Sequence, residues 1–117
     1  MRLADRRLAT RFEIVGELWG SVQAIESLQV CNLAREGALV ESVAPLPVGS
    51  TLTIRLVRGA NTTDLRAIVR HLSPVPLPGG GRRYLVGLEF MNLDVQTTAW
   101  IEQVLDEQAA RLNQDEA

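Results

Sequence analysis

Arg7 and Arg11 stand four residues apart in Asp5-Arg6-Arg7-Leu8-Ala9-Thr10-Arg11-Phe12, an R-x-x-x-R pair with Arg6 beside it. A guanidinium is planar, permanently charged and forked. It can therefore hold a phosphate or bond in bidentate fashion to the O6 and N7 edge of a guanine. Two or three arginines on a mobile arm could contact several such groups of one compact anion at once. A solvated N-terminus also looks like a polar run of this kind, and Arg2 with Arg6 satisfies the same spacing. Arg7 and Arg11 are singled out because Phe12 and a strand pattern follow directly. The second stretch is Asn32-Leu33-Ala34-Arg35-Glu36-Gly37, or N-x-A-x-x-G. Asn32 offers one acceptor oxygen and an NH2 donor. Gly37 can adopt a positive φ or let another backbone come close. Arg35 reads as an exposed loop charge or a further phosphate contact.

Elements between and around these residues must position them. From Phe12 the residues alternate, Phe12, Ile14, Gly16 and Leu18 against Glu13, Val15, Glu17 and Trp19, the two-residue period of a strand. Gly16 and Gly20 leave room for a bend or bulge, and the stretch from Val22 to Ala24 continues or re-enters the strand. Leu28 to Leu33 forms a second strand ending at the N-x-A-x-x-G turn, with Cys31 as a small core residue. Ala38 to Val43 resumes an extended pattern, and Pro45-Leu46-Pro47-Val48-Gly49 is a stiff connection. Leu52, Ile54 and Leu56 then alternate against Thr51, Thr53, Arg55 and Val57. After a Gly59-Ala60-Asn61 turn, Leu65, Ala67 and Val69 line one face of a strand reaching about Leu72, with His71 on the Val69 side. Pro74, Pro76 and Pro78 with Gly79-Gly80-Gly81 read as an irregular hairpin loop before Tyr84, Val86, Leu88 and Phe90.

Six strands with turn signals between them predict an all-β, six-stranded antiparallel barrel over residues 12–90. Past Asp94, a suitable N-cap, Ile101, Val104, Leu105 and Leu112 recur at helical steps with Trp100 alongside. That spacing predicts one amphipathic C-terminal helix over 94–112, covering an open end or side of the barrel or meeting a partner helix.

With 117 residues, a single domain over 1–117 with one aliphatic core is expected, residues 1–11 forming a flexible arginine-rich arm. The net charge of −2 argues against a broad footprint for DNA or RNA. The distribution is uneven: four arginines and one acid up to Arg11, five acids and only Arg111 from Glu102 to Glu116. Contact between the arm and the acidic tail, within one molecule or in a homodimer, competes with ligand binding. One cysteine excludes an internal disulfide framework. No run approaches the length of a membrane span, and a cytoplasmic location is expected.

Catalytic constellations are not visible. His71 is the sole histidine, Cys31 has no base-and-orienter set, and metal-ligand spacing is missing, so no catalytic residue, metal or cofactor is expected. Glu102, Asp106 and Glu107 read as the solvated face of the helix. Gly79-Gly80-Gly81 lacks the lysine and hydroxyl of a phosphate loop. Trp19 and Trp100 belong to the core or to a partner surface.

Together, R-x-x-x-R ahead of a strand and N-x-A-x-x-G about twenty residues later resemble the two signature elements of the PilZ domain family, which binds the bacterial second messenger cyclic di-GMP. The stretches around Val69-Arg70-His71 and Val86-Gly87-Leu88-Glu89-Phe90 look like that family's later strands, so the resemblance covers about Arg6 to Leu105. It implies a barrel with a C-terminal helix and a non-enzymatic, cytoplasmic receptor whose ligand contacts are Arg6, Arg7, Arg11, Asn32, Ala34 and Gly37. The family commonly carries serine where Ala34 stands; a hydroxyl could donate to a phosphate oxygen and a methyl cannot. In the mechanism this implies, the arm folds over the nucleotide and alters a surface sensed by an effector protein. The alternative is a degenerate adaptor of the same fold that binds no nucleotide and works through protein contacts. A single-stranded nucleic-acid binder on a small barrel is a third class, disfavoured by few aromatics and negative charge.

Overall fold

The computed structural model describes residues 12–14, 18–22 and 26–116. Arg6, Arg7 and Arg11, Gly16, and the continuation of the first strand past Val22 lie outside the described residues. The strands are β1 (Phe12–Glu13), β2 (Trp19–Val22), β3 (Glu26–Leu33), β4 (Gly37–Ser42), β5 (Thr51–Arg58), β6 (Asn61–Pro76) and β7 (Arg82–Met91), followed by helix α1 (Val95–Glu116).

Every pairing is antiparallel, and β3-β2-β5-β6-β7-β4 closes on itself through β3–β4. The result is the expected six-stranded barrel with β1 as an extra strand on β3. The stretch read as one first strand is thus two segments on the same edge of β3: Trp19–Val22 opposite Glu26–Gln29, and Phe12–Glu13 opposite Asn32–Leu33.

Alternation explains the core. Leu18, Leu28, Val30, Leu33, Val40, Ile54, Leu56, Leu65, Ala67, Val69, Val86 and Leu88 point inward and are buried, with polar partners outside. Burial of each such leucine, valine or isoleucine contributes roughly 1.5–3 kcal/mol of transfer free energy, the main favourable term for so aliphatic an interior. Ile101, Val104 and Leu105 of α1 join the same cluster, and the helix lies against β1 and β6. Its start is the expected cap: the Asp94 Oδ1 atom accepts the Thr97 N–H at 2.7 Å, and this bond holds the carboxyl below the usual aspartate range. The helix runs on to Glu116, past the expected end at 112.

Two readings of the β6–β7 hairpin are corrected. Pro74 and Pro76 belong to the ladder, opposite Tyr84 and Arg82, and only the residues from Leu77 to Gly81 turn. Leu77 N–H donates to the Gly81 carbonyl at 2.8 Å, so the backbone groups of Ser73, Val75 and Leu77 face β7 and the two ring nitrogens face the edge left uncovered beyond Val69, which Gly49 and Ser50 still bond. Proline is tolerated there because no donor is needed. The register also slips between Val69 and His71, which turns the His71 ring outward beside Gly87 while Val69 stays buried.

Candidate functional site

The end of β3 carries the second signature. A β-bulge interrupts the register between Val30 and Asn32. Strict alternation would send Asn32 inward with Val30; the extra residue, Cys31, lets Asn32 sit half-exposed while Leu33 returns to the core. Cys31 is accordingly a half-exposed bulge residue, not the core residue expected. Burial, followed by the charges of Glu41 and Glu13, raises its thiol pKa, which makes it a poor nucleophile.

Ala34 is 1% exposed, and its N–H donates to the Gly37 carbonyl at 2.9 Å. The turn is tied to β7 by Phe90 N–H donating to the Glu36 carbonyl at 2.7 Å. Gly37 does not have a positive φ. Of its two possible uses, close approach is the one realised: a Cβ here would overlap the Leu88 carbonyl oxygen of β7. Glycine is needed because two backbones pass in van der Waals contact.

β1 brings the N-terminal stretch to this turn. Phe12 lies opposite Leu33 and Glu13 opposite Asn32, and Ile14 N–H donates to the Cys31 carbonyl at 3.2 Å. Asn32, Ala34 and Gly37 therefore gather at one rim together with Phe12, the residue that follows Arg11. Among the described residues, Glu13, Arg35, Glu36 and Glu102 stand around them, three acids and one base.

Sequence reasoning missed the contacts that fasten the helix to the barrel. The exposed Arg35 places Nη2 3.3 Å from Glu102 Oε2 on α1. Arg58 at the β5–β6 turn pairs with Glu107, and the Thr63 and Thr97 hydroxyls meet at 2.9 Å. The helix acids read as merely solvated thus fasten α1 to the barrel at two of three positions. No local pattern could reveal this, because both arginines are distant in sequence from their partners.

Elsewhere arginines are also matched with acids: Arg55 with Asp64 at 2.8 Å, Arg70 with Glu89 at 2.6 Å and Arg83 with Glu41 at 3.2 Å. Arg55 donates to Asp64 and lowers its carboxyl pKa. Such pairing leaves little basic surface on the barrel for a polyanion. Among the described residues no three His, Cys, Asp or Glu side chains gather as metal ligands, and no helix is long and apolar enough to cross a membrane. A groove of about 290 Å3 between the β5–β6 turn and α1, lined by Arg58, Asn61, Trp100 and Glu107 among others, shares no residue with the signature turn. Trp19 is 42% exposed on the outer face of β2.

The PilZ domain family model matches residues 3–107. Among solved structures, the fold is similar to the PilZ domain of YcgR from Escherichia coli with c-di-GMP, at TM-score 0.73 and 14% identity over 96% of this chain and 99% of that one. MrkH of K. pneumonia in its apo state is similar at TM-score 0.77 and 12% identity, covering 91% of this chain and 52% of that chain. MotI/DgrA, the Bacillus subtilis inhibitor of motility, is similar at TM-score 0.66 and 16% identity, covering 93% and 52%. The chain thus spans about half the length of the MrkH and MotI chains. No curated protein matches it significantly. At such identities the neighbours speak for the fold alone, and the family match over nearly the whole chain, with the barrel and the capped helix in place, identifies the chain as a member of the PilZ domain family.

Proposed function

We propose that this chain is a non-enzymatic, cytoplasmic receptor domain for cyclic di-GMP, with residues 1–117 acting as one unit and residues 1–11 as its arm. Arg7 and Arg11, assisted by Arg6, grip the phosphates and guanine edges; the Asn32 side-chain oxygen accepts from a guanine N–H; Gly37 and Ala34 shape the turn beneath. The ordered arm then changes a surface that an effector protein reads.

The observation that carries this is the pairing of Phe12 with Leu33. Antiparallel partners stand about 5 Å apart, and the five peptide links from Phe12 back to Arg7 span at most about 17 Å. A tether of that length allows both arginines to reach Asn32. Among the described residues the rim around Asn32 is net acidic, so a dianion needs guanidinium groups from the arm to bind there. YcgR and MrkH have both been solved with c-di-GMP.

Titration calorimetry tests the proposal. Binding at micromolar cyclic di-GMP should weaken about 10- to 100-fold in Arg7→Ala and in Arg11→Ala, the loss of one charge-assisted contact. No heat from the unaltered chain at millimolar ligand would leave the second reading, an adaptor that works through protein contacts. Ala34 in place of serine and the exposure of Trp19 favour that reading.

A further inference from the structure

We propose that Arg35 is a further anion-binding residue of the nucleotide site, held by Glu102 of α1 until a phosphate of the ligand takes the carboxylate's place; the inference rests on the receptor reading above. Ala34 presents only a buried methyl and so offers an anion no side-chain donor. The next residue supplies one. The Arg35 side chain is 67% exposed, and its present partner is a carboxylate 3.3 Å away that is itself 42% exposed. Placement adds the second argument. Helix α1 lies against β1, and β1 pairs with the residues just before this turn. The Arg35–Glu102 pair therefore stands where turn, helix and root of the arm converge.

Exchange is favoured by the relative strength of the two contacts. An exposed, singly bridged ion pair is screened by water and salt and contributes little. A guanidinium on a phosphate can form two parallel charge-assisted bonds. When Arg35 turns to the ligand, Glu102 loses its partner and one of the ties between α1 and the barrel opens, while Arg58–Glu107 and Thr63–Thr97 remain. Nucleotide binding is thereby coupled to the charge and attachment of a helix face available to an effector.

The test is calorimetric titration of the full chain with cyclic di-GMP for the unaltered protein, Arg35→Ala, Glu102→Gln and the double variant. Both side chains are exposed, and surface substitutions of this kind leave a fold intact. Arg35→Ala should weaken binding about tenfold, and Glu102→Gln should tighten it about threefold, the release of a weak surface pair. Most of that gain should vanish in the double variant, because Glu102 acts through Arg35. Equal affinity of Arg35→Ala and the unaltered chain would overturn the inference and leave the receptor reading standing. Weakening by Arg35→Ala with no tightening by Glu102→Gln would overturn the exchange. No binding by the unaltered chain would remove the receptor reading and this inference together.

Discussion

Among the described glycines, Gly37→Ala should be the most damaging change to alanine. An added Cβ falls inside the Leu88 carbonyl oxygen, and the obstacle is backbone, which cannot rotate aside. Relief requires β4 and β7 to part at the Gly37–Glu89 end of their ladder. Two bonds hold that corner, Ala34 N–H to the Gly37 carbonyl and Phe90 N–H to the Glu36 carbonyl. Each contributes roughly 0.5–1.5 kcal/mol net, and overpacking adds about 1–3 kcal/mol. The expected cost is therefore about 2–6 kcal/mol. A chain of this length has an unfolding entropy of about 0.25 kcal/mol/K, so thermal unfolding followed by circular dichroism should move down by about 8–24 °C. Gly79→Ala is the informative comparison: its φ is +90° but nothing lies within 4 Å of the added methyl, so only the backbone penalty of about 1–2 kcal/mol applies. A Gly37→Ala protein that melts within a few degrees of the parent, or above Gly79→Ala, would refute the close-approach argument.

Other substitutions probe separate parts of the argument. Ile101→Ala removes a buried anchor of α1 from the core and should cost about 2–5 kcal/mol in urea denaturation, with altered Trp100 fluorescence as the helix loosens; an unchanged midpoint would show that the helix is not part of the core. Asp94→Ala should lower the melting temperature at neutral pH. Because the folded-state pKa of Asp94 is depressed by its bond to Thr97, the capping contribution is fully present above the unfolded value of about 3.9 and fades as pH falls through the lower folded value. The two proteins should converge in strong acid, and a difference that persists at pH 2 would contradict the cap. Cys31, with its raised pKa, should react with a disulfide reagent more slowly than a free cysteine at neutral pH and gain rate only at a higher pH; fast labelling at pH 7 would contradict the description of the bulge.

The barrel and its helix were legible because burial imposes a period of two on strands and of about 3.6 on helices. Leu52, Ile54 and Leu56, or Ile101, Val104 and Leu105, carry those periods without interruption. Misreadings fell where one residue interrupted them. The bulge at Cys31 left that side chain half-exposed instead of in the core, and the one near Arg70 turned His71 away from the side of Val69. A bulge leaves no mark in composition, since its cause is the path of the partner strand. Pro74 and Pro76 looked like loop residues because a proline denies a ladder its donor; only the neighbour on each side decides whether that donor is missed.

By itself the sequence determined the order of elements, the N-cap at Asp94, and the resemblance carried by Arg7, Arg11, Asn32 and Gly37, because each depends on residues close together along the chain. Tertiary structure alone decided that Phe12 lies beside Leu33, that Gly37 is needed to clear the Leu88 carbonyl, and that Arg35 faces Glu102. Those contacts join segments far apart in the chain, and the closure of the barrel, not any local preference, sets the distances between them.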